Sequence, residues 1–197
     1  MQKIAEVIEA STTEFAAECY ELYGLPPLGS LVRTADGETQ LYAVVYSAST
    51  SGVEPGRRPI ARGRDEDSED AVYRNNPQLT KLLRSEFSAI IVGHRRGTQL
   101  HYYLAPGPAR IHGFVYPCSP EEVGAFSLSF DFLTVLLNTH LSVPGEEVAG
   151  AALRQMSLAQ KDPRQFLVAA GKELAVILAG DFNRLRTVLS KIKGDSI

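Results

Sequence analysis

The segment Ile4–Gly63 reads IAEVIEASTTEFAAECYELYGLPPLGSLVRTADGETQLYAVVYSASTSGVEPGRRPIARG. It consists of short runs of apolar and β-forming residues, and each run ends at residues that favour turns. Runs of this length predict antiparallel strands, because successive side chains of a strand point to opposite faces of the sheet. We therefore predict that the chain begins with a β-rich region.

A hairpin is predicted in the middle of this segment. The dipeptide Asp36-Gly37 separates the runs Leu28–Thr34 and Glu38–Ser47. Asp-Gly between β-forming residues indicates a two-residue type I′ turn, in which both central residues need positive φ. Leu41–Tyr46 (LYAVVY) is almost continuous in β-formers and predicts a central strand.

A charged segment follows the predicted hairpin. Residues 56–64 (GRRPIARGR) carry four arginines, and residues 65–70 (DEDSED) carry five acidic groups. Neighbouring blocks of opposite sign largely cancel at long range. Asn76-Pro77 then predicts a helix start, with apolar residues at helical spacing behind it: Leu79, Leu82, Leu83 and Phe87. The sequence thus predicts a charged loop and a helix inserted at about 54–86.

The rest of the chain divides into a β part and an α part. Ala89–Arg95, Thr98–Ala105 and Ala109–Tyr116 have strand composition, which brings the total to about seven strands with the spacing of a small barrel or sandwich. After Cys118 the pattern changes to helix starts with capping residues, at Ser119, Asp162 and Asp181. We predict an all-α segment of about four helices there.

The opening segment resembles the HAS barrel, the small β-barrel shared by HerA-type helicases and the amino-terminal domains of the ATP synthase α and β subunits. Three stretches carry the resemblance: IAEVIEASTTEF (Ile4–Phe15), LGSLVRT (Leu28–Thr34) and LYAVVYSAST (Leu41–Thr50). The resemblance covers roughly residues 3–63 and extends over residues 87–117. Two positions depart from the family pattern, because Ala43 replaces a usual glycine and Gly29-Ser30 replaces the commoner Gly-Asp.

The resemblance implies a barrel that serves subunit association or substrate channelling, with any catalysis in an attached P-loop ATPase. We expect no such ATPase within these 197 residues. Gly171-Lys172 is followed by Glu173 where a P-loop has Ser or Thr, and Phe166 stands where its first glycine would be. ATP hydrolysis of the kind performed by those relatives is therefore not expected.

The residue pattern and the resemblance together predict an α+β fold. We expect an N-terminal small antiparallel β-barrel with an inserted helix in residues 1–118, followed by a C-terminal all-α domain in residues 119–197.

Composition excludes several functional classes. The net charge of −3 provides no overall attraction for nucleic acid or anionic membranes. Cys19 and Cys118 are too few for a disulfide framework or a zinc cluster. The amino terminus carries glutamates in place of the apolar core of a signal peptide, and no apolar run approaches the roughly 20 residues of a membrane helix. We expect a cytoplasmic protein without a membrane segment.

The arginines are the principal candidate for a binding site. If the two arginine-containing loops meet in space, they form a rim that binds phosphate or nucleic acid, and Tyr102 and Tyr103 become candidates for base stacking. The candidate residues are Arg57, Arg58, Arg62, Arg64, Arg95 and Arg96. Because Asp65–Asp70 competes for the same guanidinium groups, we favour a salt-bridge network within or between chains.

A cysteine and three histidines are the other candidates for chemistry. Cys118 directly precedes a capped helix, whose dipole favours a thiolate, and His112 is nearby in sequence. A glycine-flanked nucleophile turn and an oxyanion loop are both missing, so a packed cysteine is the preferred interpretation. His94, His101 and His112 have ligand types suited to zinc, but no carboxylate accompanies them in sequence. We expect no catalytic residue, no metal and no cofactor.

These observations favour a non-enzymatic assembly or protein-interaction module that self-associates or docks to a partner. The distribution of charge agrees with association between copies: residues 151–197 carry eight Lys and Arg against four Asp and Glu, whereas residues 1–53 carry two against seven. A nucleic-acid- or phosphate-binding module that uses the arginines is the alternative. An enzyme that uses Cys118 with a histidine is a further, less favoured alternative.

Overall fold

The computed structural model describes residues 2–54, 56 and 58–193, which form seven strands and seven helices. The strands are β1 (Ala5–Ala10), β2 (Glu14–Cys19), β3 (Leu31–Asp36), β4 (Thr39–Gly52), β5 (Leu83–Arg96), β6 (Gln99–His101) and β7 (Phe114–Pro117). The helices are α1 (Glu69–Asn75), α2 (Leu79–Leu82), α3 (Pro120–Phe126), α4 (Phe132–Asn138), α5 (Gly145–Ser157), α6 (Pro163–Ile177) and α7 (Phe182–Ile192).

Six of the strands close into an antiparallel barrel. Their order is β2-β1-β7-β3-β4-β5, and β2 pairs with β5 to complete the ring. Strand β6 lies outside the ring, where it pairs only with the end of β5. Closure removes most of the free edges that an open sheet would expose. The predicted small barrel is therefore confirmed, and the sandwich alternative is excluded.

Strand β4 is buried on both of its faces. Leu41, Ala43 and Val45 point into the barrel core, where they pack with residues such as Phe15 and Phe87. The alternate residues of β4 point outward and pack against the helical region, together with outward residues of β5: Tyr42, Val44, Tyr46, Ile90 and Val92. A strand buried on both faces needs apolar residues at successive positions, which accounts for the LYAVVY run.

The C-terminal helices pack on one half of the barrel. Helices α4 and α5 contact β3, β4 and β5, and α6 and α7 pack against α5. Leu153, Met156 and Phe132 lie at the centre of this second core. The α+β fold class is thus confirmed, with five helices described after residue 118. The division into two domains at residue 118 stays a prediction. Among the described helices, none combines the length and the apolar character needed to span a membrane.

The helix starts follow their capping residues. Ser119 accepts a hydrogen bond from the Glu122 amide at 3.2 Å, and the Glu122 carboxylate accepts one from the Ser119 amide at 2.9 Å. This reciprocal pair is the predicted capping box of α3. Asp162 and Asp181 likewise accept amide hydrogen bonds at the starts of α6 and α7. Helix starts are local interactions between residues three apart, so the sequence shows them directly.

The turn of the predicted hairpin differs from the expected type. Asp36 pairs with Thr39, so the turn residues are Gly37 and Glu38 rather than Asp36 and Gly37. Gly37 has φ of 58°, whereas Glu38 is not among the residues with positive φ. Positive φ at the first central residue alone is the pattern of a type II′ turn, which requires glycine there. The hairpin was correctly predicted, and its turn type was wrong.

The predicted helix after Asn76 is largely a strand. Asn76 ends α1 instead of starting a helix, and α2 covers only Leu79–Leu82. From Leu83 onward the chain belongs to β5, which pairs with β4 and, from Glu86, with β2. The helical spacing of the leucines was misleading because pairing with two strands outweighs local propensity. The predicted strands at 98–105 and 109–116 are also shorter, at Gln99–His101 and Phe114–Pro117.

Candidate interaction surfaces

The arginine loop contributes to a small groove beside α2. Arg58 and Arg62 line this groove of about 100 Å³ together with Ile60 and Leu82. Arg62 Nη1 donates a weak hydrogen bond to Asn76 Oδ1 at 3.4 Å. Arg64 is exposed, and Arg57 lies outside the described residues. Two of the candidate arginines are therefore brought together on one surface.

Arg95 and Arg96 lie far from that groove. They pair with Gln40 and Thr39 at one end of the β4–β5 ribbon, whereas Leu83, which lines the groove, pairs with Gly52 at the other end. The two ends are separated by the 14 residues of β5, and an extended strand of that length spans about 45 Å. Arg95 donates a hydrogen bond to Gln40. The two arginine-containing loops therefore do not form the single rim considered from the sequence.

The acidic block is not ion-paired with the described arginines of the arginine loop. Within the described part of the chain, no ion pair joins Arg58, Arg62 or Arg64 to residues 65–70. Ser68 instead caps α1 by accepting a hydrogen bond from the Ala71 amide at 3.2 Å, with Glu69 and Asp70 in the first turn. Acidic residues at a helix start interact favourably with the helix dipole. The described residues therefore form no such network within the chain, and a network between chains stays a prediction.

Cys118 has the opposite environment to that of a nucleophile. It lies half-buried between β7 and α3, in a cleft with Leu31, Val123 and Met156. Burial, with a further contribution from Glu122, raises the pKa of the Cys118 thiol to about 12. An activated cysteine needs a lowered pKa. The raised pKa of the thiol therefore counts against the Cys-histidine alternative.

The three histidines fall into two separate places. His94 and His101 are cross-strand neighbours on β5 and β6, with ring centroids 4.9 Å apart. His94 Nδ1 lies 3.1 Å from the Tyr103 carbonyl oxygen. His112 is elsewhere, with Nδ1 2.5 Å from Glu6 Oε1. The described residues contain no group of three or more His, Cys, Asp or Glu side chains arranged to hold a metal.

Helix α6 has a surface that the sequence argument did not identify. Phe166, Ala170 and Leu174 face the core and are buried. The opposite face carries exposed apolar residues on either side of the exposed Lys172: Val168, Ala169, Ala175 and Val176. The available signal was the run FLVAAGKELAVI, which has more apolar residues than one buried face requires.

A groove opens between α6 and the neighbouring helix α7, and of the four outward α6 residues named above Val168 lines it. The α6–α7 groove has a volume of about 870 Å³ and apolar walls: Leu167, Val168, Phe182, Leu185 and Leu189. Phe182 is the first residue of α7, and 74% of it is exposed. Three cations also line the groove: Arg164, Arg186 and Lys193. No Asp or Glu does so in the described part of the chain.

The half of the barrel that faces away from α4 and α5 carries acidic residues, whereas the α6–α7 groove carries cations. In the strand register Glu6 lies opposite Glu18, and Glu18 lies opposite Glu86. Like charges directly across a ladder are destabilising. Arg84 pairs with Glu86 at 3.0 Å, and His112 and Tyr20 donate hydrogen bonds that hold the pKa of Glu6 below its usual range. We call this surface, with its exposed apolar residues, the acidic barrel face: Glu6, Ile8, Glu18, Tyr20 and Phe114.

Comparison with known proteins adds no further constraint on function. No family model matches the chain, and no curated protein is significantly similar to it. Two surfaces of the molecule therefore indicate its function: the α6–α7 groove and the acidic barrel face.

Proposed function

We propose that this protein is a non-enzymatic protein-interaction module whose partner docks in the α6–α7 groove. The observation that carries the proposal is the apolar wall of the groove, which Leu167 and Val168 of α6 and Phe182, Leu185 and Leu189 of α7 form together. Contiguous apolar surface with a polar rim is typical of protein-docking sites on soluble proteins. A concave apolar groove on helices is also the usual receptor for an inserted helix or aromatic side chain.

We further propose that the barrel is of the HAS type. The closed six-stranded antiparallel architecture supports this at the level of fold, and the stretches Ile4–Phe15, Leu28–Thr34 and Leu41–Thr50 support it at the level of sequence. In that family the barrel serves subunit association. An assembly role agrees with this resemblance and requires no ATPase domain.

The test compares the full chain with a groove variant as baits in extract from its native cells. Val168→Glu places a charge in the groove wall at a residue that is 53% exposed, so the fold is preserved. Leu128→Glu is the matched control, because Leu128 is 85% exposed and does not line the groove. We expect specific partners, including further copies of the chain, on the wild-type and control baits and their loss on Val168→Glu.

Circular dichroism and the melting temperature must be the same for the three proteins. Retention that is unaffected by Val168→Glu, or an absence of any specifically retained protein, would reject the docking role of the groove.

The small groove at Arg58 and Arg62 supports a second candidate, a phosphate- or nucleic-acid-binding function. Within the described residues no ion pair joins either arginine to a carboxylate, although Glu54 also lines the groove. Fluorescence anisotropy with labelled single-stranded DNA tests this candidate. Binding that falls with salt and is lost in Arg58→Ala/Arg62→Ala supports it; equal signals from wild type and variant at low salt contradict it.

A further inference from the structure

We infer that the α6–α7 groove of one molecule takes the acidic barrel face of a second copy, so that copies of this chain join head to tail. The inference rests on the proposed function, because it names the partner of the same groove. Charge, shape and position within the fold support it, each through residues described above.

The charges of the two surfaces are complementary. Arg164, Arg186 and Lys193 line the groove. On the acidic barrel face, Glu6 and Glu18 lie directly opposite each other on neighbouring strands. Glu6 already accepts hydrogen bonds from His112 and Tyr20, so a cationic partner relieves the remaining repulsion at Glu18. Complementary charge also selects partner and orientation.

The apolar parts of the two surfaces are complementary as well. Phe114 and Tyr20 project from the acidic barrel face with 44% and 46% of their surface exposed. The Lys3 ammonium lies 3.8 Å from the Phe114 ring centroid, which restrains that ring. Aromatic side chains that enter apolar pockets supply most of the affinity in many interfaces. A groove of about 870 Å³ provides such a pocket.

The positions of the surfaces prevent one molecule from satisfying its own groove. In the ring order β2-β1-β7-β3-β4-β5, strand β1 lies opposite β4. Helices α4 and α5 pack on β3, β4 and β5, whereas the acidic barrel face belongs to β1, β2 and β7. The groove and its complement are therefore on opposite sides of the molecule. Contacts of this heterologous type produce rings or open chains of copies.

An anionic membrane is the other surface that basic and apolar residues suit. Membrane-surface helices present a convex apolar face to a flat bilayer. Here the apolar residues of α6 and α7 line a concave groove, so the observations favour a protein occupant. Binding to vesicles is therefore an outcome that counts against the inference.

Two variants, each with one surface disabled, test the inference. Val168→Glu blocks the groove, and Glu18→Lys reverses charge on the acidic barrel face. Phe114→Lys, at a residue of the same face that is 44% exposed, replaces Glu18→Lys if that variant does not fold. Molar mass is measured by light scattering over a concentration series with the full chain. We expect the wild type and the Leu128→Glu control to associate, and each blocking variant to raise the dissociation constant at least tenfold.

Mixing the two variants gives the decisive result. A Glu18→Lys molecule keeps its groove, and a Val168→Glu molecule keeps its acidic barrel face. The two variants can therefore form one intact interface with each other. The expected species is a dimer with one molecule of each variant, whose affinity falls as salt rises. A mixture that stays monomeric overturns the inference, as does a wild type that is monomeric at every concentration.

The inference and the proposed function fail in distinguishable ways. A monomeric wild type whose partners in the extract are lost with Val168→Glu overturns self-association and leaves the docking role intact. A monomeric wild type that binds vesicles of phosphatidylserine and phosphatidylcholine, with binding lost in Val168→Glu, overturns both.

Discussion

At Cys118 two opposing effects act on one thiol. Helix α3 begins two residues later, and a helix start favours a thiolate. Burial and the neighbouring Glu122 favour the neutral thiol, and they prevail, with a pKa of about 12. The sequence places Cys118 beside the helix start, but burial depends on the helices that pack over it. Only the first of these opposing effects is therefore visible in the sequence.

The thiols are expected to react slowly in the folded protein. At pH 8 a thiol of pKa about 12 has a thiolate fraction of about 10⁻⁴, against about a quarter for an unfolded cysteine of pKa about 8.5. Burial also raises the pKa of Cys19 to about 11. Labelling with a thiol-specific reagent, followed by mass spectrometry, should be at least 100-fold slower in the native protein than in denaturant.

The same shift has a consequence for stability. Because the folded pKa of Cys118 lies above the unfolded value, the neutral thiol contributes stability that is fully present below about pH 8.5. That contribution is lost as the pH rises toward about 12. Native Cys118 that is labelled at the unfolded rate would show that the thiol is accessible and contradict both expectations.

At the scale of elements, the contact between the barrel and α5 depends on Gly29. Gly29 has φ of 84°, which side chains rarely adopt, and a Cβ there would lie 2.3 Å from the Ala151 carbonyl carbon. Its amide donates a hydrogen bond to the Val45 carbonyl at 2.8 Å. At this one residue, between strand β4 and helix α5, any side chain would meet both an unfavourable φ and a blocked contact.

Gly29→Ala is expected to destabilise the fold by about 3 kcal/mol or more, since the strain of positive φ adds to an overpacked contact. Gly180→Ala is the matched control, because Gly180 has φ of 94° but nothing within 4 Å of its Cβ position. That variant should lose only about 1 kcal/mol. Urea unfolding measures both values. Equal losses would show that the close approach to α5 contributes nothing.

The errors in predicting elements have one common cause. Leu83–Phe87 has helical spacing, but it forms a strand because β4 and β2 pair with it. The pairing partners are more than 30 residues away in sequence, so no local pattern reveals them. Where an element depends on neighbouring residues, as with Ser119 and Glu122 at α3, the prediction was correct.

At the scale of the whole molecule, the barrel and the helices share a core. Tyr42, Val44 and Ile90 on the barrel surface belong to the same apolar cluster as Leu153 and Met156 of α5. The predicted domain boundary at residue 118 therefore separates two regions that bury apolar surface against each other. Such regions usually unfold together, because neither retains its full core alone.

We expect the chain to unfold in a single transition. Leu153→Ala leaves a cavity in the shared core and should cost about 2–5 kcal/mol. Strand and helix signals in circular dichroism should shift together with near-ultraviolet tyrosine signals. A fragment of residues 1–118, which leaves Tyr42, Val44 and Ile90 uncovered, should be unfolded or aggregate. Two separate transitions, or a stable fragment, would instead establish independent domains.

Local chemistry accounts for the α+β class, the number of strands, the hairpin at Gly37 and the helix starts at Ser119, Asp162 and Asp181. Each depends on residues a few positions apart, whose hydrogen bonds and φ angles the sequence encodes directly. Closure of β2 on β5, the separation of the arginines, the raised pKa of Cys118 and the α6–α7 groove were decided by the tertiary structure. These features depend on which distant surfaces cover one another, and burial of that kind is a property of the assembled fold.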